Sequence, residues 1–343
     1  MSAVSDTVTG QHADAPQPRP PSVPVQISAV VVGGTTGVGR AVVDALLSAG
    51  HKVGVIARGQ ARLDEMALEL GDRIATAKAD AGDHVALNAA VASILPEGHP
   101  IKVWVNSAMS TSFSPFEKMD PDEFERIIRT TLLGQVNGTR LALRYMVQGN
   151  IVNIGSGLSY RPVPLQSAYC AAKHAINGFT GSVRSEMIAA KRPIALSLIQ
   201  LPAMDTPQFT WARNRMTMMP QPAPPIYAPE VAAHAVMRAI RTDAREILVG
   251  KSVLMLVFGN MILPDYIDHK MATAGITSQK SDVPDPGGRP DNLFASVDHP
   301  ATATGAFTAR AEPKAFTVNA DFARKIVFFG VAALAFFLGL LLG

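Results

Sequence analysis

Between Ile27 and Val249, short apolar runs alternate with longer stretches whose apolar residues return every three or four positions. The short runs have strand length and the long ones carry helical periodicity. The pattern predicts strands at Ile27–Val32, Lys52–Ala57, Ile74–Lys78, Ile101–Val105, Asn150–Ile154, Ile194–Ile199 and Glu246–Val249. Helices fall between them, the clearest at Asp120–Met146, Ser167–Ala190 and Pro229–Arg241, the last with proline in its first turn. Strands that alternate with helices build a doubly wound α/β domain, here a seven-stranded parallel sheet with helices on both faces.

The rhythm fails at both ends. Residues 1–26 hold five prolines and no apolar core segment, which reads as a disordered leader and not as a secretory signal. Residues 27–264 read as one α/β domain, and residues 265–324, with Asp-Pro-Gly-Gly and Thr/Ala-rich stretches, read as a linker. Residues 325–343 read as a membrane tail anchor: Ile326–Leu342 is uncharged and follows Arg324 and Lys325. As a helix of 1.5 Å rise per residue it spans roughly 26 Å, against a hydrocarbon core of about 30 Å. The basic pair would remain cytoplasmic, with the large domain on the same side of the membrane.

Composition narrows the function classes. A single cysteine, Cys170, excludes an intramolecular disulfide, and the eight histidines lack metal-ligand spacing. The net charge of +3 comes without a basic run, so nucleic-acid binding is set aside. A homo-oligomer is compatible with this composition.

After the first predicted strand comes Gly33-Gly34-Thr35-Thr36-Gly37-Val38-Gly39, followed by a helical pattern. Glycines allow a tight turn and a close approach to a pyrophosphate, whose charge meets free N–H groups at the helix N-terminus. Nineteen residues beyond Gly39, at the end of the second strand, stands Arg58, where an NAD-selective site would carry a carboxylate against the ribose 2′-hydroxyl. An arginine there suits a 2′-phosphate, which favours NADP over NAD.

Tyr169 and Lys173 lie four residues apart in a helical stretch, so both side chains leave one face. To act as a base near pH 7 a phenol must titrate about three pH units below its ordinary 10, roughly 4 kcal/mol of preference for the phenolate. A neighbouring ammonium supplies part of that. Thirteen residues before Tyr169, just past the fifth strand, Ser156 offers a hydroxyl to a substrate oxygen.

The Gly33/Gly37/Gly39 cluster, Asp80, Asn106-Ser107-Ala108, Ser156 and Tyr169-Cys170-Ala171-Ala172-Lys173, extended by Leu201-Pro202 and Thr206, resemble the short-chain dehydrogenases/reductases in order and spacing over about residues 27–250. The resemblance implies a Rossmann fold and an oxidoreductase that interconverts a carbonyl and an alcohol. It implies that Ser156 stabilises the reacting oxygen, Tyr169 transfers its proton, and Lys173 lowers the Tyr169 pKa and binds the nicotinamide ribose. Gly33, Thr35, Thr36, Gly37, Val38 and Gly39 would hold the pyrophosphate loop, Asp80 the adenine, Asn106 and Ala108 the cleft, and Pro202 and Thr206 the nicotinamide end.

Three positions depart from the family pattern. Met109 stands where the family carries glycine, Thr131 where it carries the asparagine of a proton relay, and Ala203 where it carries glycine after Pro202. They motivate an alternative: a membrane-tethered nucleotide-binding or regulatory protein with weak or no catalysis. A third class, epimerisation or dehydration on tightly held NAD, is disfavoured by the short segment after the sixth strand. That segment, with Met204, Trp211, Met216, Met218 and Met219, reads as a lid, and Val253–Leu263 as a pocket wall or a membrane-surface segment. With the tail, these features point to a lipophilic ketone, aldehyde or alcohol.

Overall fold

A computed structural model describes residues 26–95, 98, 101–330 and 340. Its main sheet carries β1 (Ala29–Val32), β2 (Val53–Ala57), β3 (Ile74–Lys78), β4 (Val103–Asn106), β5 (Gly149–Ile154), β6 (Ile194–Gln200) and β7 (Glu246–Val249), in the spatial order β3-β2-β1-β4-β5-β6-β7. All seven run parallel, and the register sets Val31 of β1 between Val55 and Val105. The strands read as continuous apolar runs because both faces are covered. Ala29 and Val31 pack on one side with α1 (Gly37–Ser48), α2 (Gln60–Leu70) and α7 (Pro229–Thr242). Val30 and Val32 pack on the other with α3 (His84–Ile94) and α5 (Gly134–Tyr145), beside which runs α6 (Ser167–Ala189).

The helix expected over Asp120–Met146 is α4 (Pro121–Ile128) and α5, separated by a π-turn over Arg129–Leu133. A π-turn inserts a residue into the helical ladder and is frequent beside functional sites. Here it carries Thr131, whose buried hydroxyl donates to the Ser110 carbonyl (2.9 Å) and accepts from the Ser110 N–H (3.0 Å). Thr131 therefore pins the loop after β4 instead of offering a free hydroxyl to a proton relay.

The segment read as a linker is packed on the domain. After α8 (Gly250–Ile262) and α9 (Pro264–Lys270), residues Lys280–Pro284 pair antiparallel with Met218–Pro220. Thr317–Asn319 is an eighth strand, β8, antiparallel to β7 at the sheet edge. Leu293 is fully buried, and Ala301 and Val318 nearly so. Apolar side chains this widely spaced give no periodicity, because each fills a separate slot on a surface built by earlier elements.

The tail anchor is also corrected. Among the described residues no helix is long and apolar enough to cross a membrane. The C-terminal helix α10 (Ala320–Lys325) passes into a π-turn over Ile326–Gly330, and residues 331–339 and 341–343 of the expected span lie outside the described residues, as do residues 1–25 of the expected leader. Arg324, expected to flank a membrane, instead binds the buried Glu246 carboxylate (2.7 Å), while Ala320 and Ala323 pack against Leu248 and Val253. A guanidinium held by a buried carboxylate on the sheet edge is part of the domain, so the expected single-pass membrane location is not upheld.

Candidate active site

The C-terminal ends of β1, β2, β4, β5 and β6 open on one cavity of about 600 Å³, where doubly wound sheets hold their ligands. Of the residues expected from sequence, Gly33, Thr35, Thr36, Gly37, Val38, Arg58, Asp80, Ala108, Ser156, Tyr169, Lys173, Pro202 and Thr206 line it. Gly39 and Asn106 do not. Gly33 has φ of +86°, and a Cβ on it would stand 2.5 Å from the Ala108 N. A Cβ on Gly39 would collide with the Gly33 carbonyl oxygen, so this glycine lets α1 close on the turn.

Asn106 lies under the cavity floor. Its amide donates to Asn153 Oδ1 (2.8 Å) and Thr139 Oγ1 (3.1 Å), and its oxygen accepts from Trp104 Nε1 (2.9 Å). Asn153 donates onward to Thr180 (3.0 Å), so a buried polar network ties β4 and β5 to α5 and α6. Asp80 lines the adenine end, yet its oxygens already accept from the Gly82 N–H (2.9 Å) and the Arg126 guanidinium. Arg58 donates to the backbone carbonyls of Asn292 (2.6 Å) and Leu293 (3.2 Å). Burial and the neighbouring Arg126 and Arg62 lower its pKa, against the attraction of Asp80.

At the other end, Ser156 caps a short helical turn, its hydroxyl accepting from the Leu158 N–H (3.1 Å), and its own N–H donates to Gln200 Oε1 (2.8 Å). Gln200, fully buried on β6, also donates to Asn177 (2.9 Å) and Glu246 (2.8 Å). Lys173 is buried one turn along α6 from Tyr169, and its ammonium donates to the Ile154 carbonyl (2.6 Å) and lies 5.4 Å from the Tyr169 ring centre. Burial pulls the Lys173 pKa down to about 7. Burial pushes the Tyr169 phenol well above its ordinary value, with Cys170 adding to the effect and the Ser156 hydroxyl working against it. In the cofactor-free protein desolvation thus works against the lowering that the mechanism expected from sequence requires of Tyr169. Cys170 is buried with a raised pKa of about 11, and His174 Nδ1 pairs with the Cys170 carbonyl (2.9 Å), which leaves both as packing residues.

The far half of the cavity is lined by Leu158, Val163, Met204 and Phe209, by Ser252, Met255 and Leu256 of α8, and by Met271, Ser278 and Gln279, while Trp211 lies under the Arg62 guanidinium (5.4 Å). The charged side chains on the lining are Arg58, Arg62 of α2, Asp80 and Lys173. Val253–Leu263 thus helps to wall the pocket through α8, whereas Met216 packs outside it with Phe113 and Phe209. Sequence reasoning missed Arg62, Arg126, Gln200 and Asn292. A buried glutamine at a strand end was the only available sign of Gln200. Asn292 carries no local signal, since it reaches the cavity from more than two hundred residues beyond the glycine loop.

The family model for short chain dehydrogenase matches residues 28–216. The chain belongs to that family and is an NAD(P)-dependent oxidoreductase. It is 27% identical over 263 residues to the oxidoreductase YxnA of Bacillus subtilis strain 168, covering 74% of each chain. It is 32% identical over 162 residues to the NADP-dependent 3-hydroxy acid dehydrogenase YdfG of Escherichia coli K12, covering 46% of this chain and 65% of the relative. A short-chain dehydrogenase from Streptomyces avermitilis superimposes with a TM-score of 0.60 at 22% identity, over 73% of this chain and 96% of the other, a likeness of fold.

Proposed function

We propose that this chain reduces a neutral, largely apolar carbonyl compound with NADPH, Tyr169 giving the proton and Ser156 and Lys173 assisting. The observation that carries the reading is the meeting of Ser156, Tyr169 and Lys173 in one cavity with the glycine loop at its opposite end. The cavity suits a dinucleotide: the glycine loop lines one end of it, and two buried polar atoms on its lining residues, Arg62 Nε and Asn292 Oδ1, have no partner among the described residues. The dinucleotide supplies a hydride when bound.

The protein's part is to orient and to protonate. Ser156, itself positioned by Gln200, donates to the carbonyl oxygen and holds it toward the Tyr169 hydroxyl. A phenol with a raised pKa stays protonated through neutral pH, the form that reduction requires, and its proton moves to the oxygen as negative charge develops there. Oxidation would need the phenolate and hence a protonated Lys173 beside it. The intact trio weighs against the non-catalytic alternative.

Arg58 and the name of the Escherichia coli relative support NADP over NAD. Two of the five guanidinium N–H groups of Arg58 are spent on backbone carbonyls, leaving three for a 2′-phosphate. Arg58→Ala is expected to weaken NADPH binding about ten- to a hundredfold, in line with one charge-assisted contact, and to weaken NADH binding markedly less. A wild-type preference for NADH in a fluorescence titration refutes the assignment.

Substrate charge is the second test. With no cation lining the far half of the cavity among the described residues, a carboxylate would be desolvated without a partner. In an NADPH-oxidation assay the specificity constant for neutral alkyl or aryl ketones and aldehydes is expected to exceed that for oxo acids of similar size by at least about tenfold. Equal or better turnover of the acids ends the proposal of a neutral substrate.

A further inference from the structure

We infer that residues 291–305 form a strap that roofs the dinucleotide end of the cavity, with Asn292 a direct ligand of the adenosine half; this rests on reading that cavity as the dinucleotide site. The segment lies well outside residues 28–216, which carry the family match. It is tied down by its backbone carbonyls and by side chains, Asp291 pairing with Arg213 (2.8 Å), Leu293 buried, and His299 edge-on to Trp211, and several of its backbone partners line the cavity.

The ties run from one end of the cleft to the other. At the adenine end, the Leu293 carbonyl accepts from Arg58 Nη1 (3.2 Å) and Arg126 Nε (2.9 Å), and the Asn292 carbonyl accepts from Arg58 Nη2 (2.6 Å). Arg62 Nη1 donates to the Val297 carbonyl (2.7 Å). Farther on, Arg40 donates to the Ala301 carbonyl (2.8 Å), and the Gly37 N–H, at the first residue of α1, donates to the Thr302 carbonyl (3.0 Å). Beyond the strap, Asp205, beside Thr206, accepts from the Phe307 N–H and the Thr308 hydroxyl, both at 2.9 Å. Side chains anchor the same end: Leu293 is fully buried against Ile127 and Ala168, in a cluster that Tyr169 also touches, and Asp291 pairs with Arg213 (2.8 Å).

About 600 Å³ remains beneath the strap, bounded by the glycine loop, Tyr169 and Asn292 together, but the Thr302 carbonyl occupies the Gly37 N–H, so a pyrophosphate bound at that N–H displaces it. Within that lining Asn292 Oδ1 is buried without a partner, while the Asn292 N–H is held by the Trp211 carbonyl (3.0 Å), which fixes the backbone from which the side chain projects. A buried orphan acceptor costs free energy unless a donor arrives. An adenine amino group or a ribose hydroxyl at this end of the cleft is such a donor. The strap carbonyls also orient Arg58 and Arg62, which otherwise have no carboxylate partner within bonding distance among the described residues. Two consequences follow. The strap raises affinity for the dinucleotide, and it must lift for the dinucleotide to enter or leave.

The test uses the purified full chain and NADPH fluorescence, with stopped-flow measurement of association and dissociation. Asn292→Ala, which leaves the strap backbone in place, is expected to raise the NADPH Kd about three- to tenfold, while binding of reduced nicotinamide mononucleotide, which lacks the adenosine half, is unchanged. Leu293→Ala, which loosens the anchor, is expected to speed NADPH dissociation at least about tenfold and to make the strap a protease target that NADPH protects. Thermal unfolding of both variants near the wild-type midpoint separates these effects from a general loss of fold. If the wild type binds NADPH but neither variant alters its affinity or dissociation rate, the strap inference is overturned while the dinucleotide reading stands. If the wild type binds neither NADPH nor NADH, both fall.

Discussion

Tyr169→Phe is expected to lower the rate of carbonyl reduction by about three to four orders of magnitude and to leave the NADPH Kd within about twofold of wild type. The substitution removes one hydroxyl and keeps the ring, which is buried beside Ala168 and Leu293, so the packing of α6 is preserved. General acid catalysis by a positioned group contributes about 10²–10⁴-fold, and in the proposed mechanism no other side chain at the reacting oxygen can give up a proton readily. Ser156 would still hydrogen-bond that oxygen, but an aliphatic hydroxyl does not ionise in this range. The measurement is single-turnover NADPH oxidation beside a fluorescence titration. A variant that reduces its substrate near the wild-type rate removes Tyr169 from the mechanism. One that loses binding as well as rate shows a structural and not a catalytic role.

Lys173→Met is expected to change rate, affinity and pH dependence together. The buried amine donates to the Ile154 carbonyl, which also receives Gln135 Nε2 at 2.9 Å, so methionine of similar length leaves no orphaned acceptor. Replacing a buried ionisable group with an apolar one of similar size is often neutral or stabilising, and the unfolding midpoint is expected to hold or rise. Function responds differently. In the free protein Lys173 titrates near 7 because burial opposes its charge. The ribose hydroxyls of a dinucleotide accept from the ammonium and so favour the protonated form. Below about pH 7 the lysine is already charged and binding takes up no proton. Above it the protein must capture one, and wild-type affinity is expected to fall by up to about tenfold per pH unit. Calorimetric titrations at pH 8 in buffers of different ionisation enthalpy will report that uptake. Lys173→Met should bind more weakly at pH 6, show no pH step near 7, and lose about two to three orders of magnitude in rate. A wild-type affinity that is flat from pH 6 to 9 contradicts the assignment.

The sheet was legible because each strand is a short apolar run beside a helix of longer period. The pairing partners and the edge strand were not. β8 is three residues long, and its Val318 makes sense as a strand residue only once β7 offers an edge to pair with. The proposed proton-transfer trio was legible at different depths. Tyr169 and Lys173 share a helix, and a fixed rise and turn set their separation from spacing alone. That Ser156 meets them depends on β5 and α6 packing side by side, which the order of strands and helices anticipates. Gln200, which holds Ser156, and Arg126, which engages Asp80, act across strands and helices far apart in the chain, and no local pattern marks them.

The C-terminal third separates the two kinds of knowledge most clearly. Its polar, proline- and glycine-bearing composition excludes a core of its own, and its apolar end suggested a membrane span that the described residues do not supply. Composition reports what a segment can bury, not which surface it lies on. Residues 291–305 are held by backbone carbonyls and by isolated side chains such as Asp291, Leu293 and His299, whose partners lie far away in the chain, so no local pattern marks their placement. The sequence by itself determined the alternation of strand and helix, the glycine turn and the Tyr169–Lys173 pair, because these depend on local periodicity and backbone freedom. Only the tertiary structure decided the strap over the cleft, the engagement of Arg58 and the opposed shifts of Tyr169 and Lys173. Each of these arises from desolvation and hydrogen bonding between segments that meet only after the chain has folded.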